Sequence, residues 1–288
     1  MIFAAGLGTR LKPLTDTMPK ALVPVDGHPL IEIVSRKLLR SGFDSAVVNV
    51  HHFADRIEDW CRRQDWMDFQ ISDERGMLLE TGGAVLHARK LLEGCGNFLI
   101  HNVDVLTNAD LRSFASAHRP DALATLLVSP RKTSRYFLFR PDTMRLAGWT
   151  NTNTGETVMS DITIAKEDCL ALGFSGIHIL SDRVFPLMEQ YVIDKGLVTD
   201  SSTGPSSAAS ALAPDSLPCS SSAASALAPD SLPSARFSIR DFYLAVAARH
   251  PIYGVNVESF RMLDVGKPDA LARAADFLAS CHSNCTRD

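Results

Sequence analysis

The feature that most constrains the fold of this chain is a glycine loop at residues 4–10, with the sequence A-A-G-L-G-T-R. A short apolar run leads into this loop, as a buried strand leads into a tight turn. Gly6 and Gly8 lack a Cβ, so main chain can approach a bound group closely, and the N–H groups of such a turn can form an anion-sized hollow. Thr9 adds a hydroxyl and Arg10 a planar guanidinium that matches phosphate oxygens. The loop therefore indicates either a phosphate site or an ordinary tight turn.

The surrounding sequence distinguishes this loop from two common phosphate-binding motifs. No third glycine follows at the spacing of the dinucleotide-binding fingerprint, and the chain contains no G-x-x-x-x-G-K-[ST] motif. Lys20 lies between Pro19 and an apolar run, and it can bring a second positive charge to the same hollow.

The net charge of −4 gives no indication of a nucleic-acid or anionic-membrane partner, since a nucleotide site needs only a local positive pocket.

The first part of the chain alternates between strand and helix patterns. Residues 28–42 repeat apolar side chains at helical spacing, residues 46–50 form an apolar run typical of a buried strand, and residues 54–64 indicate a short amphipathic helix. This alternation predicts an α/β fold with a mostly parallel sheet and helices on both faces. Ligands of such folds bind at the carboxyl ends of the strands, where the glycine loop lies.

Two aspartates follow predicted strands further along the chain. Residues 97–105 form an apolar strand that ends in the polar sequence N-V-D-V, which places Asp104 near the expected phosphate hollow. Residues 252–257 are a later strand, and Asp264 precedes a helix predicted from residue 268 to about residue 280. Each aspartate is either a metal ligand or a cap of a turn.

A repeated segment interrupts the core pattern. The sequence SSAASALAPDSLP occurs at residues 206–218 and again at 221–233, and it is rich in Ser, Ala and Pro. Such a segment cannot bury enough apolar surface to fold by itself. We therefore predict a core at residues 1–198, a disordered insert at 199–235, a second part of the core at 236–280, and a tail at 281–288.

The remaining composition fits a protein of the cytoplasm. The chain has six scattered cysteines without a C-x-x-C pair, and we expect free thiols in a reducing compartment. No apolar run approaches membrane-spanning length. The apolar start turns at once into the glycine loop, so we expect no signal peptide. No residues precede the first strand in this sequence, which leaves two alternatives: a start that is placed too late, or a short first strand.

The string G-L-G-T-R-L-K-P-L-T, followed by P-K-A-L-V-P-V, resembles the signature of the sugar-1-phosphate nucleotidyltransferases. The resemblance covers the chain except for the insert and the last few residues. It implies a Rossmann-like nucleotide-diphospho-sugar transferase fold and a Mg²⁺ ion held by Asp104 and Asp264, which stand in N-x-D and D-V-G-x-P motifs. It also implies catalytic roles for Arg10 at the leaving pyrophosphate and Lys20 at the phosphate oxygens.

The resemblance also implies which residues contact the substrates. The segment L-E-T-G-G would lie against the nucleotide, and F-S-G-I would lie against the sugar. The nucleotide-binding residues implied in this way are Ala5, Gly6, Gly8, Thr9, Arg10, Lys20, Glu80, Gly82 and Gly83. The substrate-binding residues are Asn102, Ser175 and Gly176. The E-K-P motif of thymidylyl-type relatives is absent, which argues against a glucose-1-phosphate thymidylyltransferase.

The expected reaction joins a sugar 1-phosphate to a nucleoside triphosphate with release of pyrophosphate. The combination of motifs most resembles the N-acetylmuramate-1-phosphate uridylyltransferase branch, which makes UTP and a sugar 1-phosphate the favoured partners. A mannose-1-phosphate guanylyltransferase, a phosphocholine cytidylyltransferase and a non-catalytic nucleotide-sensing subunit remain alternatives. The oligomeric state stays open.

Overall fold

The structure is a computed structural model that describes residues 1–197, 235–257 and 259–282 of the 288-residue chain. The strands of these residues are β1 (Ile2–Phe3), β2 (Pro24–Val25), β3 (His28–Pro29), β4 (Ser45–Val50), β5 (Asp68–Asp73), β6 (Asn97–Asn102), β7 (Val105–Thr107), β8 (Ala124–Ser129), β9 (Arg135–Phe139), β10 (Leu146–Asn151), β11 (Thr157–Met159), β12 (Leu170–Ser181), β13 (Ile252–Asn256) and β14 (Met262–Asp264). The helices are α1 (Leu30–Arg40), α2 (Ala54–Arg62), α3 (Glu80–His87), α4 (Arg89–Leu92), α5 (Leu111–Ser116), α6 (Val184–Asp194), α7 (Ile239–Val246), α8 (Pro268–Ala272) and α9 (Ala274–His282).

The main sheet is built around the strand that leads into the glycine loop. β1 lies between β4 and β6 and is parallel to both, and β5 extends the sheet in parallel beyond β4. The carboxyl ends of these strands therefore meet at one edge. β1 has only two residues.

The second half of the sheet contains antiparallel strands. The long strand β12 pairs antiparallel with β6 and β8, and its first residues pair with β9. β10 and β11 continue from β9 in antiparallel order. β13 joins β8 in parallel. The sheet is thus mixed, with its parallel part around the glycine loop.

Helices cover both faces of the sheet. On one face, α1, α2 and α5 bury Leu30, Ile57 and Phe114 in a cluster that also contains Leu99 of β6. On the other face, α3, α6 and α7 pack on a cluster that contains Ile100, the next residue of the same strand. Since successive side chains of a strand point to opposite faces, a continuous apolar strand is buried on both sides. The predicted α/β class, with a mixed sheet between helical layers, is confirmed.

A two-stranded ribbon connects the end of the chain to the sheet edge. β14 pairs antiparallel with β7, with Asp264 opposite Val105. The Val265 N–H also donates to the carbonyl oxygen of Asp104 at 2.9 Å. The ribbon therefore carries the second aspartate back to the first.

The predicted insert at residues 199–235 lies outside the described residues except for its last residue. Ala235 is only 1% exposed and packs in the core, so the core resumes at or before this position. The remaining domain boundaries stay predictions. In the described part of the chain, no helix has the length and hydropathy needed to cross a membrane, and Cys61, Cys95, Cys169 and Cys281 are free thiols.

Candidate active site

The glycine loop folds into a tight turn that depends on Gly8. This residue has a φ of 64°, in the left-handed region that glycine adopts without strain. A Cβ at this position would lie 2.8 Å from Cγ2 of Thr15, and the Thr15 hydroxyl donates to the carbonyl oxygen of Gly8 at 2.8 Å. Gly8 is therefore required by the local packing of the loop, and the turn brings Thr9 and Arg10 into a single turn of 3-10 helix.

Four charged side chains meet beside this loop. Lys20 forms an ion pair with Asp104, and both side chains are largely buried. A Cβ placed on Gly266 would lie 2.7 Å from Nη2 of Arg10, 2.8 Å from Oδ1 of Asp264 and 3.0 Å from Nζ of Lys20. Arg10, Lys20 and Asp264 are thus neighbours around one glycine, and Lys20 connects them to Asp104. The structure brings together all four residues that the sequence predicted to be catalytic.

Gly266 and the ribbon fix the position of the second aspartate. The Gly266 N–H donates to Oδ1 of Asp264 at 2.8 Å, which orients the carboxylate. The absence of a side chain at Gly266 leaves room for the three charged groups around it. Asp264 is exposed at the end of β14, so its carboxylate remains accessible.

The two carboxylates have the donor chemistry of a magnesium site. Hard carboxylate oxygens suit Mg²⁺, which is commonly bound by one or two carboxylates together with substrate phosphates. No group of three or more His, Cys, Asp or Glu side chains that could hold a metal occurs within the described ranges. Asp104 and Asp264 therefore fit a metal shared with a bound phosphate, and they do not form a closed metal site.

A cavity of about 260 Å³ opens beside the charged cluster. It is lined by the carboxyl ends of β1, β4 and β6, by the loop before α3, and by Lys20 and Asp104. Its lining residues are Phe3, Ala4, Ala5, Gly6, Lys20, Asn49, Glu74, Leu78, Glu80, Thr81, Asn102, Val103 and Asp104. Ala5, Gly6 and Glu80 lie where the nucleotide-binding prediction requires, whereas Gly8 and Thr9 do not line this cavity.

A buried hydrogen-bond network supports the wall of this first cavity. Asn49 accepts from the Ala4 N–H at 2.8 Å and donates to Oε1 of Glu74 at 2.7 Å. The other carboxylate oxygen of Glu74 accepts from the Leu79 N–H at 3.3 Å. Glu74 is 3% exposed, and burial raises the pKa of its carboxyl group above the usual 4.5. The network connects the glycine loop to the turn before α3.

A second cavity of about 480 Å³ adjoins the first. The two share Phe3, Glu80, Thr81 and Asn102, so they form a continuous cleft. The second cavity is lined by aromatic and cationic side chains from the sheet, from the loop before β9 and from α7. These are Phe137, Trp149, Phe174, His178, Arg131, Arg135 and Arg240. An apolar cavity with a few polar groups is typical of a small-molecule site.

The structure corrects the assignment of Gly82 and Gly83 as backbone contacts for the nucleotide. Their N–H groups donate to the carbonyl oxygen of Phe237 at 2.9 and 3.2 Å. A Cβ on Gly82 would lie 2.4 Å from the Phe237 ring, and a Cβ on Gly83 would lie 2.0 Å from the carbonyl oxygen of Ala235. These glycines are needed because another segment of the chain packs directly against the start of α3.

The assignment of Ser175 and Gly176 to the sugar is corrected in the same way. Ser175 is 2% exposed, and its hydroxyl donates to the carbonyl oxygen of Leu127 at 2.7 Å. Gly176 has a φ of 82°, and a Cβ there would lie 2.6 Å from Nδ2 of Asn102. Both residues shape the irregular part of β12. Asn102 itself lines both cavities, as the prediction requires.

Several lining residues were not singled out from the sequence. Asn49 and Glu74 are polar residues at or just beyond the ends of buried strands, and this pattern could have marked them. Arg131, Arg135 and Trp149 carry no comparable signal, because only the sheet register shows which face they occupy.

The fold is that of the nucleotide-diphospho-sugar transferases, and the charged cleft lies at the carboxyl ends of its parallel strands. Residues 1–138 match the family described as Nucleotidyl transferase. This match agrees with the resemblance of the motifs to the sugar-1-phosphate nucleotidyltransferases. Asp264 lies outside the matched residues, and only the structure brings it to the site.

Curated relatives match the same half of the chain. An N-acetylmuramate alpha-1-phosphate uridylyltransferase of Caulobacter vibrioides is 40% identical over 136 residues, which are 44% of this chain and 56% of that protein. A UTP–glucose-1-phosphate uridylyltransferase of Synechocystis sp. is 32% identical over 139 residues, covering 44% and 36%. The chain thus spans about half or less of the length of these relatives.

Solved structures match nearly the whole chain. A UDP-glucose pyrophosphorylase complexed with UDP-glucose superposes with a TM-score of 0.66 and 16% identity, and 97% of each chain is covered. HddC from Yersinia pseudotuberculosis gives a TM-score of 0.63 and 19% identity, covering 96% of this chain and 97% of that one. At such identities the likeness shows the shared fold.

Proposed function

We propose that the protein is a nucleotidyltransferase that joins a sugar 1-phosphate to a nucleoside triphosphate and releases pyrophosphate. The observation that carries this proposal is the convergence of Arg10, Lys20, Asp104 and Asp264 beside two adjoining cavities. The first cavity would take the nucleotide and the second the sugar. The family match of residues 1–138 supports the same reaction.

The charged residues would act by positioning and by electrostatic stabilisation. An oxygen of the sugar phosphate attacks the α-phosphorus of the triphosphate, the new P–O bond forms, and the bond to pyrophosphate breaks. Lys20 would hold phosphate oxygens near the reacting phosphorus, and Arg10 would bind the leaving pyrophosphate as its charge increases. The attacking oxygen is already ionised near neutral pH, so the reaction needs no general base.

Asp104 and Asp264 would hold a Mg²⁺ ion in this proposal. When bound, such an ion supplies positive charge that neutralises phosphate oxygens and fixes their orientation. The two residues are far apart in the sequence, and the β7–β14 ribbon holds them close together in the fold.

We propose UTP and N-acetylmuramate 1-phosphate as the preferred substrates. The support is the 40% identity with the uridylyltransferase of Caulobacter vibrioides and 42% identity over 112 residues with another from Neisseria meningitidis serogroup B. The relative from Synechocystis sp. is also a uridylyltransferase, although its sugar substrate is glucose 1-phosphate. The base is therefore better supported than the sugar. With these substrates we also propose a cytoplasmic location, where nucleoside triphosphates are available.

The test is pyrophosphate release by the purified protein with Mg²⁺ and a matrix of substrates. We expect UTP to exceed GTP, CTP and dTTP with N-acetylmuramate 1-phosphate as the acceptor. Preference for GTP with mannose 1-phosphate, or for CTP with phosphocholine, would replace the proposed substrates by one of the alternatives. Absence of turnover with every pair, in a protein that binds UTP in a thermal-shift assay, would contradict the proposed activity.

A further inference from the structure

The second cavity contains more positive charge than a neutral sugar requires. Its carboxylates, Glu80 and Asp241, each already have an arginine partner. Arg236 pairs with Glu80 at 2.9 Å, and Arg240 pairs with Asp241 at 2.6 Å. Arg131 and Arg135 form no ion pair with any carboxylate of the described residues. Within the described residues, the cavity therefore presents two guanidinium groups without a carboxylate partner, which could bind an anionic ligand.

Arg131 is directed toward the reaction centre. Its Nη2 donates to the carbonyl oxygen of Phe174 at 2.8 Å, and its side chain lies across Gly173, where a Cβ would be 3.0 Å from Cγ of the arginine. Burial lowers the pKa of Arg131, and the nearby carboxylate of Asp264 opposes this shift. This position suits the 1-phosphate of a sugar, which must reach the nucleotide beside Asp264.

Arg135 lies on the sheet face that forms the floor of the cavity. It begins β9, and Phe137 is two residues further along the same face. Phe137 pairs with Trp149 of β10 across the two antiparallel strands, so the two side chains occupy the same face of the sheet. Phe174 of β12 is in contact with Phe137, with ring centroids 5.8 Å apart. Aromatic surface of this kind can pack against the apolar face of a sugar ring, which would leave Arg135 at one side of the ring.

The loop between the two arginines is held in place by hydrogen bonds. The Thr133 N–H donates to the Tyr136 hydroxyl at 3.0 Å, and the Arg135 N–H donates to the Thr133 hydroxyl at 3.4 Å. The backbone that carries the two arginines is therefore held in place. Two guanidinium groups without carboxylate partners in one cavity match a ligand with two separate negative charges.

We propose that Arg135 determines specificity for a sugar 1-phosphate that carries a carboxylate on the sugar, while Arg131 binds the 1-phosphate. This inference rests on the proposed function of the same cleft. A guanidinium binds a carboxylate through two parallel N–H···O bonds, an arrangement with higher energy and specificity than a single neutral hydrogen bond. Arg135 would thus distinguish acidic from neutral sugars at a group remote from the reacting phosphate.

The experiment compares N-acetylmuramate 1-phosphate with N-acetylglucosamine 1-phosphate. The second compound is the same sugar without the lactyl group that carries the carboxylate. For Arg135→Met, we expect the ratio of the two kcat/KM values to shift by about 10- to 100-fold toward the neutral sugar. Arg135→Lys keeps the charge but not the planar fork, and it should recover part of the ratio. Arg131→Met should lower kcat/KM for both sugars to a similar extent. Arg63→Met, at the end of α2 and outside both cavities, is the matched control and should change neither value.

An unchanged ratio of the two kcat/KM values in Arg135→Met, with or without an equal loss for both sugars, would overturn the specificity role. Calorimetric titration of each sugar phosphate into the protein without nucleotide separates this inference from the proposed reaction. Weaker binding of the acidic sugar alone to Arg135→Met would support the subsite even if no pyrophosphate were released with any triphosphate. Normal turnover with an unaltered ratio would leave the reaction intact and contradict the role of Arg135.

Discussion

Glu74 is a buried carboxyl group that supports the wall of the first cavity. It accepts hydrogen bonds from Asn49 and from the Leu79 N–H, and Asn49 in turn holds the N–H of Ala4. An ionised carboxylate can accept both bonds, whereas a protonated acid or an amide has one fewer acceptor. We therefore assign Glu74 a positioning role. Its hydrogen bonds hold Asn49 and the Leu79 N–H, and through Asn49 they hold the backbone of Ala4.

Glu74→Gln should raise the KM for UTP by about 3- to 10-fold with a smaller change in kcat, because one hydrogen bond of the network is lost. Ser72→Ala, on β5 just before Glu74, is the matched control. Ser72 is buried and its hydroxyl has no partner among the described residues, so this variant should keep the wild-type KM. Equal KM values for the glutamine variant and the wild type would contradict the positioning role.

The same variant has a predictable pH dependence. Burial raises the pKa of Glu74 in the folded protein, so folding favours the protonated form. The stability that this group contributes is present at low pH and is lost as the pH rises through the raised pKa. The Tm of the wild type relative to Glu74→Gln should therefore fall as the pH rises above about 4.5, as measured by differential scanning calorimetry. A difference that increased with pH would contradict the raised pKa of Glu74.

The packing of residues 235–239 against the start of α3 is the element contact that the sequence did not reveal. The Phe237 carbonyl accepts from two N–H groups of α3, and the Phe237 N–H donates to the carbonyl oxygen of Leu79. The Ile239 N–H donates to the Thr81 hydroxyl at 3.0 Å. Because Thr81 lines both cavities, this contact determines the position of the site.

Gly83→Ala should destabilise the protein by about 1–3 kcal/mol and lower its Tm by several degrees, because the new Cβ would overlap the carbonyl group of Ala235. Gly76→Ala is the matched control, since a Cβ at Gly76 meets no atom within 4 Å and its φ is not positive. Thermal unfolding of the two variants measures the difference. A fully stable Gly83→Ala protein would show that residues 235–239 do not pack tightly on α3.

The glycines explain where sequence reasoning succeeded and where it did not. Gly6 was expected at a ligand site and lines the first cavity. Gly82, Gly83 and Gly176 carry the same sequence signal, but they accommodate neighbouring parts of the chain. A glycine in a sequence indicates that some other group comes close to its backbone. The sequence does not show whether that group is a ligand or another residue of the protein. The order of strands and helices was predictable because apolar periodicity and turn residues are local properties.

The site as a whole requires two parts of the chain that are far apart in the sequence. Asp104 follows β6 in the first part, and Asp264 ends β14 after residues 198–234, which the structure does not describe. The β7–β14 ribbon and the bond from Val265 N–H to the Asp104 carbonyl hold the two aspartates together. The motifs predicted both aspartates, while their common location depends on long-range pairing that no local pattern contains. The family match ends at residue 138, so the role of Asp264 is the claim that needs the most direct test.

That test is the rate of pyrophosphate release by Asp264→Asn, measured with UTP, N-acetylmuramate 1-phosphate and Mg²⁺ beside Asp104→Asn and the control Asp269→Asn. Asparagine can still accept the bond from the Gly266 N–H, so the fold and the Tm should be retained. We expect each of the first two variants to lose at least about 100-fold in kcat, as for other residues that stabilise charge at a reaction centre, and the control to keep its activity. Turnover near the wild-type rate in Asp264→Asn would show that Asp264 is not part of the active site. The account of a centre with two aspartates would then be wrong.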